Sequence, residues 1–237
     1  MSDPDLSVVI FAFNEEANIA PVLVELRQWL SANEPSAEIV FVDDGSLDHT
    51  SAEAAKALSG TPHQLVRHDT NRGIGAALKS GVRAAKGVWV TFLPADGQIA
   101  PDAIGTLRAT AARERTEVVF SVYDHRDDGL HRKILSAGVR ALILMVHGVR
   151  MRSDGPYLFR HALFDPDQLV PDTFFLNFEF PIRMLSAGVP AAVVTIECRP
   201  RRSGHSKSTG LKRIYGVMQD LLELRVRRVR ESLGRNA

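Results

Sequence analysis

The chain has 237 residues, 45% of them hydrophobic, and a formal net charge of +1. This composition allows one domain with a substantial core and excludes extensive disorder outside the last few residues. The single cysteine, Cys198, excludes an internal disulfide and is expected to be a core thiol in a reducing compartment. No signal peptide precedes Leu6, and no apolar run reaches the roughly 18 residues of a membrane span. We therefore expect a cytoplasmic protein that is at most peripheral to a membrane.

Short apolar runs alternate with segments of helical apolar spacing along the first hundred residues. The runs predict strands at Leu6–Phe13, Glu38–Val42, Gln64–Arg67 and Val88–Leu93. Helices are predicted between them, at Glu15–Leu30, Asp48–Leu58 and Gly73–Ala85. This βαβα order predicts a Rossmann-like α/β fold, with a mostly parallel, doubly wound sheet and helices on both faces.

The second part of the chain continues with longer helices and fewer strands. Helices are predicted near Pro101–Arg113, at Leu130–His147, near Asn177–Ala187 and from about Leu211. Extended segments are predicted at Glu117–Val122, Tyr157–Arg160 and Ala191–Ile196. Because no internal repeat, linker or low-complexity tract interrupts this pattern, we expect residues 1–237 to form a single domain.

Polar residues follow three of the predicted strands, at residues 14–16, 43–46 and 96–98. Ligands of open α/β sheets bind at the carboxyl ends of strands. A nucleotide needs acceptors for base N–H groups and ribose hydroxyls, which Asp43 or Asp44 supplies, and a divalent cation, which Asp96 holds. Taken singly, Asn14 and Asp48 are equally well explained as helix caps, and residues 43–46 as a turn. Three such clusters at one edge favour a ligand site.

Five short motifs follow one another along the chain: residues 9–16 (VIFAFNEE), 42–46 (VDDGS), 71–77 (NRGIGAA), 95–98 (ADGQ) and 201–207 (RRSGHSK). In this order and spacing they resemble family 2 glycosyltransferases, close to the polyprenyl-phosphate (dolichyl-phosphate) mannosyltransferase branch. The resemblance implies a GT-A type fold, a nucleotide-diphospho-sugar donor, and a Mg or Mn ion. It also implies inverting transfer to a polyprenyl phosphate at the membrane surface. Residues 1–98 would be the nucleotide half, and residues 99–237 the acceptor half.

The resemblance implies nucleotide contacts for residues at the first two strand ends. Phe11, Phe13 and Glu15 would surround the base and ribose, and Val42 and Asp44 would close the other side. The family usually has Pro and Tyr in place of the two phenylalanines, which keep bulk and stacking but lose a hydroxyl.

The expected metal site departs from the family pattern. Asp96 and Gln98 would hold the metal and, with Ala95, contact the nucleotide sugar. Pro94 stands where the family usually has the first Asp of an Asp-x-Asp pair. Two interpretations follow: a working enzyme with a looser donor site, or a relative that binds donor without transferring it. The retained Gln98 and the basic loop favour the first, and we expect the metal to bind appreciably only together with the donor.

The glycine-rich residues 71–77 have two explanations, a phosphate-cradling loop or close packing of a helix on its surroundings. We favour packing, with Arg72 or Lys79 as candidate donor contacts only.

A phosphate acceptor needs cations and no general base, because its second pKa of about 6 leaves it largely anionic near neutral pH. Arg132 resembles the acceptor-phosphate arginine of the family, and Arg201 with Lys207 resembles its late basic loop. We therefore assign Arg132 and Arg201 to the transfer step, and Arg201 and Lys207 also to binding of the nucleotide sugar. The alternative is a solvated basic surface.

Three segments are candidates for membrane contact: Ala137–Val149, Phe174–Phe180, and the last helix, Leu211–Glu231, which mixes apolar residues with arginines. Core packing is the alternative for the first two. A rival function is a family 2 transferase with a hydroxyl acceptor, which would need a carboxylate base such as Glu179 or Asp154. A second rival is a non-catalytic nucleotide-sugar-binding protein. No nucleic-acid partner is predicted, and the oligomeric state is left open.

Overall fold

The computed structural model describes the backbone of residues 3–124, 130–200 and 211–234, with side chains except at 130–135, 211–215, 232 and 234. Its strands are β1 Leu6–Ala12, β2 Glu38–Asp43, β3 His63–Arg67, β4 Trp89–Pro94, β5 Val118–Tyr123, β6 Leu158–Arg160 and β7 Ala191–Ile196. Its helices are α1 Glu16–Asn33, α2 Thr50–Leu58, α3 Ile74–Ala84, α4 Asp102–Glu114, α5 Leu130–His147, α6 Leu176–Ser186 and α7 Leu211–Gly234.

The seven strands form one sheet in the order β3-β2-β1-β4-β6-β5-β7. The first four strands are mutually parallel, and β5 is parallel to β7. Only β6 runs antiparallel, against both β4 and β5. The predicted α/β fold with a mostly parallel sheet is therefore confirmed. The short antiparallel strand between the two parallel groups is the feature that alternation of strands and helices did not predict.

Apolar clusters cover both faces of the sheet. Along β1, Val8 and Ile10 pack with α1 and α4 on one face, whereas Val9 packs with α3 on the other. This alternation follows from the two-residue period of a strand, and burial on both faces explains why β1 is apolar except at Ser7. A Cβ on Gly81 of α3 would lie 2.3 Å from Val9 Cγ1. The glycine thus allows α3 to sit directly on the sheet.

A third apolar cluster joins α5, α6 and α7 and contains Ile143, Met151, Phe175, Ile182, Leu221 and Leu224. Within the 174–180 segment, Phe175, Leu176 and Phe180 are buried, and Phe174 is exposed. Core packing, and not membrane contact, therefore explains most of these aromatic residues. Within the described ranges, every helix is too short or too polar to cross a bilayer.

Candidate functional site

The carboxyl ends of β1, β2 and β4 meet at one edge of the sheet. Phe11 lies in register with Val42 of β2 on one side and with Pro94 of β4 on the other. The loops that follow these strands therefore start side by side, and they contain the polar residues singled out in the sequence. This register brings together groups that are about 30 and 80 positions apart along the chain.

Hydrogen bonds tie the loop after β1 to the loop after β2. The backbone N–H of Asn14 donates to Ser46 Oγ (3.0 Å), and the N–H of Leu47 donates to Asn14 Oδ1 (2.9 Å). Asn14 has a φ of 53°, a left-handed conformation that asparagine tolerates. Asp48 accepts the N–H of Thr50 (3.0 Å) just before α2. Burial raises the pKa of Asp48, but hydrogen bonds from Thr50 and Glu16 outweigh it and lower the pKa below its usual value. Asn14 thus joins the two loops, and Asp48 acts as a capping group.

Asp44 is buried, and both of its carboxylate oxygens accept hydrogen bonds. Oδ1 accepts the N–H of Arg72 (2.9 Å) and lies 2.7 Å from His68 Nδ1, and Oδ2 accepts the N–H of Gly73 (2.8 Å). The other nitrogen of His68 lies 2.9 Å from Ser80 Oγ on α3. In this structure Asp44 therefore fixes the turn that begins α3. His68 was missed in the sequence because no spacing pattern connects it with Asp44.

Asp43 has a different environment from its neighbour. Its carboxylate is fully buried, and Oδ1 accepts the N–H of Ser46 (2.9 Å). In the described part of the chain Oδ2 has no hydrogen-bond partner, and Arg67 Nε lies 3.6 Å from it. Of the two candidate acceptors for a base N–H, Asp43 is the one that retains an unsatisfied oxygen.

The other residues of the predicted nucleotide contact differ in accessibility. Phe11 is half-buried, with its ring centroid 5.9 Å from that of Phe92. Phe13 and Glu15 are also half-buried, and Glu15 Oε2 accepts a hydrogen bond from the Asn18 side chain (2.7 Å). Val42 is fully buried in the core on the α3 face, and its predicted contact with a nucleotide stays a prediction.

The loop after β4 connects Asp96 and Gln98 with the chain beyond β7. Asp96 is buried, as is Ala95, and Asp96 Oδ1 accepts the N–H of Gln98 (3.1 Å). The Gln98 carbonyl accepts the N–H of Arg199 (2.8 Å), and the Gln98 amide nitrogen lies 4.0 Å from Cys198 Sγ. Cys198 is therefore a half-buried neighbour of a predicted metal ligand, which its position in the sequence did not indicate.

Asp96 and Gln98, the predicted ligands, fit a metal ion only if other molecules supply the rest of its ligands. Among the residues that the structure describes, no three His, Cys, Asp or Glu side chains converge as a metal site would require. Pro94, the last residue of β4, adds no carboxylate. A hard cation such as Mg²⁺ takes about six oxygen ligands. Asp96 and Gln98 thus suit a cation whose remaining ligands come from a diphosphate and water, not from a closed protein cage.

Close packing explains the glycines at the start of α3, as predicted. A Cβ on Gly75 would lie 2.5 Å from the carbonyl oxygen of Thr173, and the N–H of Ala76 donates to the carbonyl of Asp172 (3.1 Å). Lys79 Nζ donates to Asp172 Oδ1 (2.5 Å) and to the carbonyl of Leu169 (3.0 Å). The hydrogen bond from Lys79 lowers the pKa of Asp172. Lys79 therefore holds the segment before α6 against α3.

The two carboxylates considered as general bases are both engaged by arginines. Glu179 on α6 is fully buried, with Oε1 2.9 Å from Arg183 Nε and Oε2 3.0 Å from an Arg227 nitrogen. Asp154 pairs with Arg140 through both oxygens, at 2.6 and 2.7 Å. A general base needs an oxygen that can reach the proton that it removes. These ion pairs argue against either residue as the base for a hydroxyl acceptor.

The basic residues assigned to the acceptor are not located by the structure. Arg201 and Lys207 lie outside the described residues, and Arg132 lies on α5 at a position whose side chain is not described. Their roles stay predictions. A cavity of about 450 Å³ lies at the opposite end of β2, lined by α1 and residues 60–62. It is remote from the loops after β1, β2 and β4 and is not part of the candidate site.

Comparison with known proteins assigns the family. Residues 7–176 match the family described as Glycosyl transferase family 2. The chain belongs to this family. It is 26% identical to dolichol-phosphate mannosyltransferase of Mycosarcoma maydis, with 94% of this chain and 80% of that protein covered. It is 27% identical to dodecaprenyl-phosphate galacturonate synthase of Rhizobium johnstonii, with 93% of this chain covered. It is 32% identical to undecaprenyl-phosphate 4-deoxy-4-formamido-L-arabinose transferase of Proteus mirabilis, with 92% covered. The chain spans 66% of the length of each of the last two proteins.

Solved structures share the fold of this glycosyltransferase domain. Glucosyl-3-phosphoglycerate synthase from Mycobacterium tuberculosis, in complex with Mn²⁺, UDP and phosphoglyceric acid, superposes with a TM-score of 0.70 at 20% identity. The match covers 93% of this chain and 77% of that one. A complex of the same synthase with Mg²⁺ and UDP gives the same TM-score. This likeness confirms the predicted GT-A type fold.

Proposed function

We propose that this glycosyltransferase uses a Mg or Mn ion to move a sugar, with inversion, from a nucleotide-diphospho-sugar to a polyprenyl phosphate at a membrane surface. The observation that carries the proposal is the convergence of the loops after β1, β2 and β4 at one edge of the sheet. Carboxylates after β2 and β4 lie on either side of β1 there. One side of this edge offers acceptors for a nucleoside, and the other offers Asp96 for a diphosphate-bound cation.

Each part of the site has a distinct task in this reaction. Asp43, whose buried Oδ2 has no hydrogen-bond partner among the described residues, would accept a base N–H group, while Asp44 keeps the start of α3 in position. Asp96 and Gln98 would hold a cation at the donor diphosphate, and the positive charge of such an ion would stabilise the departing nucleoside diphosphate. Arg132 and Arg201 orient the acceptor phosphate, whose oxygen attacks the anomeric carbon in line as the bond to the diphosphate breaks.

The acceptor class is supported by two independent considerations. The relatives that match over more than 90% of this chain are named as transferases acting with dolichol, dodecaprenyl and undecaprenyl phosphates. In addition, Glu179 and Asp154 are both bound by arginines, so neither is a suitable base. A phosphate that is already anionic near neutral pH attacks without one.

The decisive experiment measures donor binding and sugar transfer on the same protein. Calorimetry with nucleoside diphosphates and their sugars, with and without Mn²⁺, should identify a donor whose binding depends on the metal. Transfer is then measured to a short-chain prenyl phosphate. Asp96→Asn should lower metal-dependent donor affinity by at least about a hundredfold, because an amide does not balance the charge of a dication. Glu114→Gln, an exposed change on α4, is the matched control.

Three results would contradict parts of this proposal. Unchanged Mn-dependent affinity in Asp96→Asn would remove Asp96 from the metal site. Donor binding with neither transfer nor hydrolysis would favour the non-catalytic alternative, for which Pro94 is the specific observation. Arg132→Ala and Arg201→Ala should weaken use of the lipid phosphate and leave donor affinity nearly unchanged. Equal losses for both substrates would assign these arginines to the donor or to the fold.

A further inference from the structure

Helix α7 presents two different apolar faces. One face packs on the protein: Leu221 and Leu224 are fully buried against α5 and α6, and Val217 is partly buried beside them. All three belong to the segment Leu211–Glu231, which was predicted from the sequence to contact a membrane, and for these three residues that prediction is wrong. Their burial leaves the opposite face of α7 to be explained.

The opposite face of the described part of α7 carries five exposed apolar side chains, which we call the α7 stripe. Their exposed fractions are 43% for Met218, 57% for Leu222, 50% for Val226, 41% for Val229 and 65% for Leu233. At about 100° per residue these positions fall on an arc of about 80°, over about 22 Å of helix. Contiguous apolar surface of this kind marks an interaction site more often than scattered residues do.

Positive charge borders the α7 stripe on both sides. Arg225 and Arg230 are exposed and flank the arc, about 20° before it and about 40° beyond it on a regular helix. The acidic residues of the described helix, Asp220, Glu223 and Glu231, lie at least about 60° from the arc by the same geometry. The stripe is thus apolar in the middle and cationic at its edges.

Ion pairs on the other side of α7 fix the direction in which the stripe points. An Arg227 nitrogen lies 3.0 Å from buried Glu179 of α6, and Glu231 lies 3.0 Å from Arg183 of the same helix. His147 Nε2, at the end of α5, donates to the carbonyl of Leu221 (3.1 Å). These contacts hold α7 from two neighbouring helices. The stripe is therefore a preformed surface.

We propose that the α7 stripe docks on the surface of an anionic membrane, with α7 lying parallel to it. The apolar side chains would enter the boundary between headgroups and acyl chains, and the flanking arginines would meet lipid phosphates. This inference rests on the proposed lipid acceptor, because a polyprenyl phosphate is held in a bilayer. A second copy of the chain fits the stripe less well, since pairing two such faces brings their cationic edges together.

Vesicle binding tests the inference on the whole protein. Vesicles of phosphatidylcholine with about 30% phosphatidylglycerol, and of phosphatidylcholine alone, are titrated with wild type and with the double variant Leu222→Glu, Val226→Glu. We expect wild type to prefer the anionic vesicles, and the double variant to lose at least about tenfold in affinity. Val24→Glu is the control, because Val24 lies on helix α1 and is exposed to the same 43% as Met218. Arg225→Gln with Arg230→Gln should abolish the preference for anionic lipid.

Activity with two acceptors separates this inference from the proposed function. The Leu222→Glu, Val226→Glu variant should transfer sugar to a water-soluble short-chain prenyl phosphate at the wild-type rate and should fail only with polyprenyl phosphate in vesicles. If the wild type transferred sugar to the soluble acceptor but did not bind vesicles, the docking surface would be overturned and the proposed function would stand. Vesicle binding by a wild type that transfers sugar to neither acceptor would overturn the proposed function and leave the docking surface intact. The inference would also be overturned if the wild type did not bind vesicles and sedimented as a dimer, while the double variant sedimented as a monomer.

Discussion

The predicted nucleotide half, residues 1–98, and the predicted acceptor half, residues 99–237, are each stabilised by a different kind of contact among their described residues. In the nucleotide half, four parallel strands set the register of the loops, and carboxylates such as Asp44 accept neighbouring backbone N–H groups. In the acceptor half, α5, α6 and α7 meet through a small apolar cluster and through the buried carboxylate of Glu179. The hydrogen bonds between parallel strands join backbone groups and tolerate changes of side-chain charge, whereas the buried ion pairs of Glu179 do not. The two halves should therefore fail under different substitutions.

Removing the charge of Glu179 should cause the largest loss of stability, and this loss should come from the acceptor half. Glu179→Gln would leave Arg183 and Arg227 facing a buried amide, and removing one partner of a buried ion pair costs roughly 3–5 kcal/mol. Urea unfolding should show this loss, with donor affinity in the folded protein unchanged. Glu223→Gln, an exposed change on the neighbouring helix α7, should stay within about 0.5 kcal/mol of wild type. Normal stability with lost transfer would instead identify Glu179 as a general base.

A pair of glycine substitutions compares the two halves directly. Gly75→Ala would place a Cβ 2.5 Å from the Thr173 carbonyl, so the segment before α6 must move, at a cost of about 1–3 kcal/mol. Gly138→Ala on α5 meets nothing within 4 Å, and the better helix propensity of alanine should stabilise the protein by up to about 1 kcal/mol. Thermal unfolding of both variants checks the opposite signs. Equal effects would show that the contact at Gly75 is easily relieved.

Pro94→Asp should restore metal affinity to the free protein. An added carboxylate at the end of β4 would supply the oxygen and charge that the site lacks, and we expect Mn²⁺ to bind at least about tenfold tighter, or about 1.4 kcal/mol. Pro94→Asn controls for the loss of the proline ring. Calorimetry without nucleotide measures the effect. Tight stoichiometric Mn²⁺ binding by the wild type alone would show that other ligands complete the site.

Acidification should produce the smallest effect, confined to the acceptor half. Burial lowers the pKa of His147 below its usual 6.5; the bond to the Leu221 carbonyl opposes this, and Arg228 and Arg225 add to it. Because the folded pKa lies below the unfolded one, the stabilisation is present above pH 6.5 and is lost as the pH falls below it. Urea midpoints at pH 7.5 and 5.5 should differ more for wild type than for His147→Gln. Identical pH responses would remove His147 from the attachment of α7.

Much of the fold follows from local patterns in the sequence. The predicted bounds of β1, α3, β4 and β7 agree with the structure to within one residue, because apolar period and turn residues are local properties. The antiparallel direction of β6 was not predictable in this way. Three residues pair with β4 and β5 only after both have been placed, so β6 depends on long-range contacts.

The sequence by itself determined the alternation of strands and helices, the family motifs, and the clustering of polar residues after β1, β2 and β4. Only the tertiary structure decided which of these residues are already engaged: Asp44 holds the start of α3, whereas Asp43 Oδ2 has no hydrogen-bond partner among the described residues. It also decided that Leu221 of α7 is buried, whereas Leu222 is exposed. The physical reason is the same in each case. Residue type fixes which contacts a side chain can make, but its partners come from distant parts of the chain, and only packing brings them within reach.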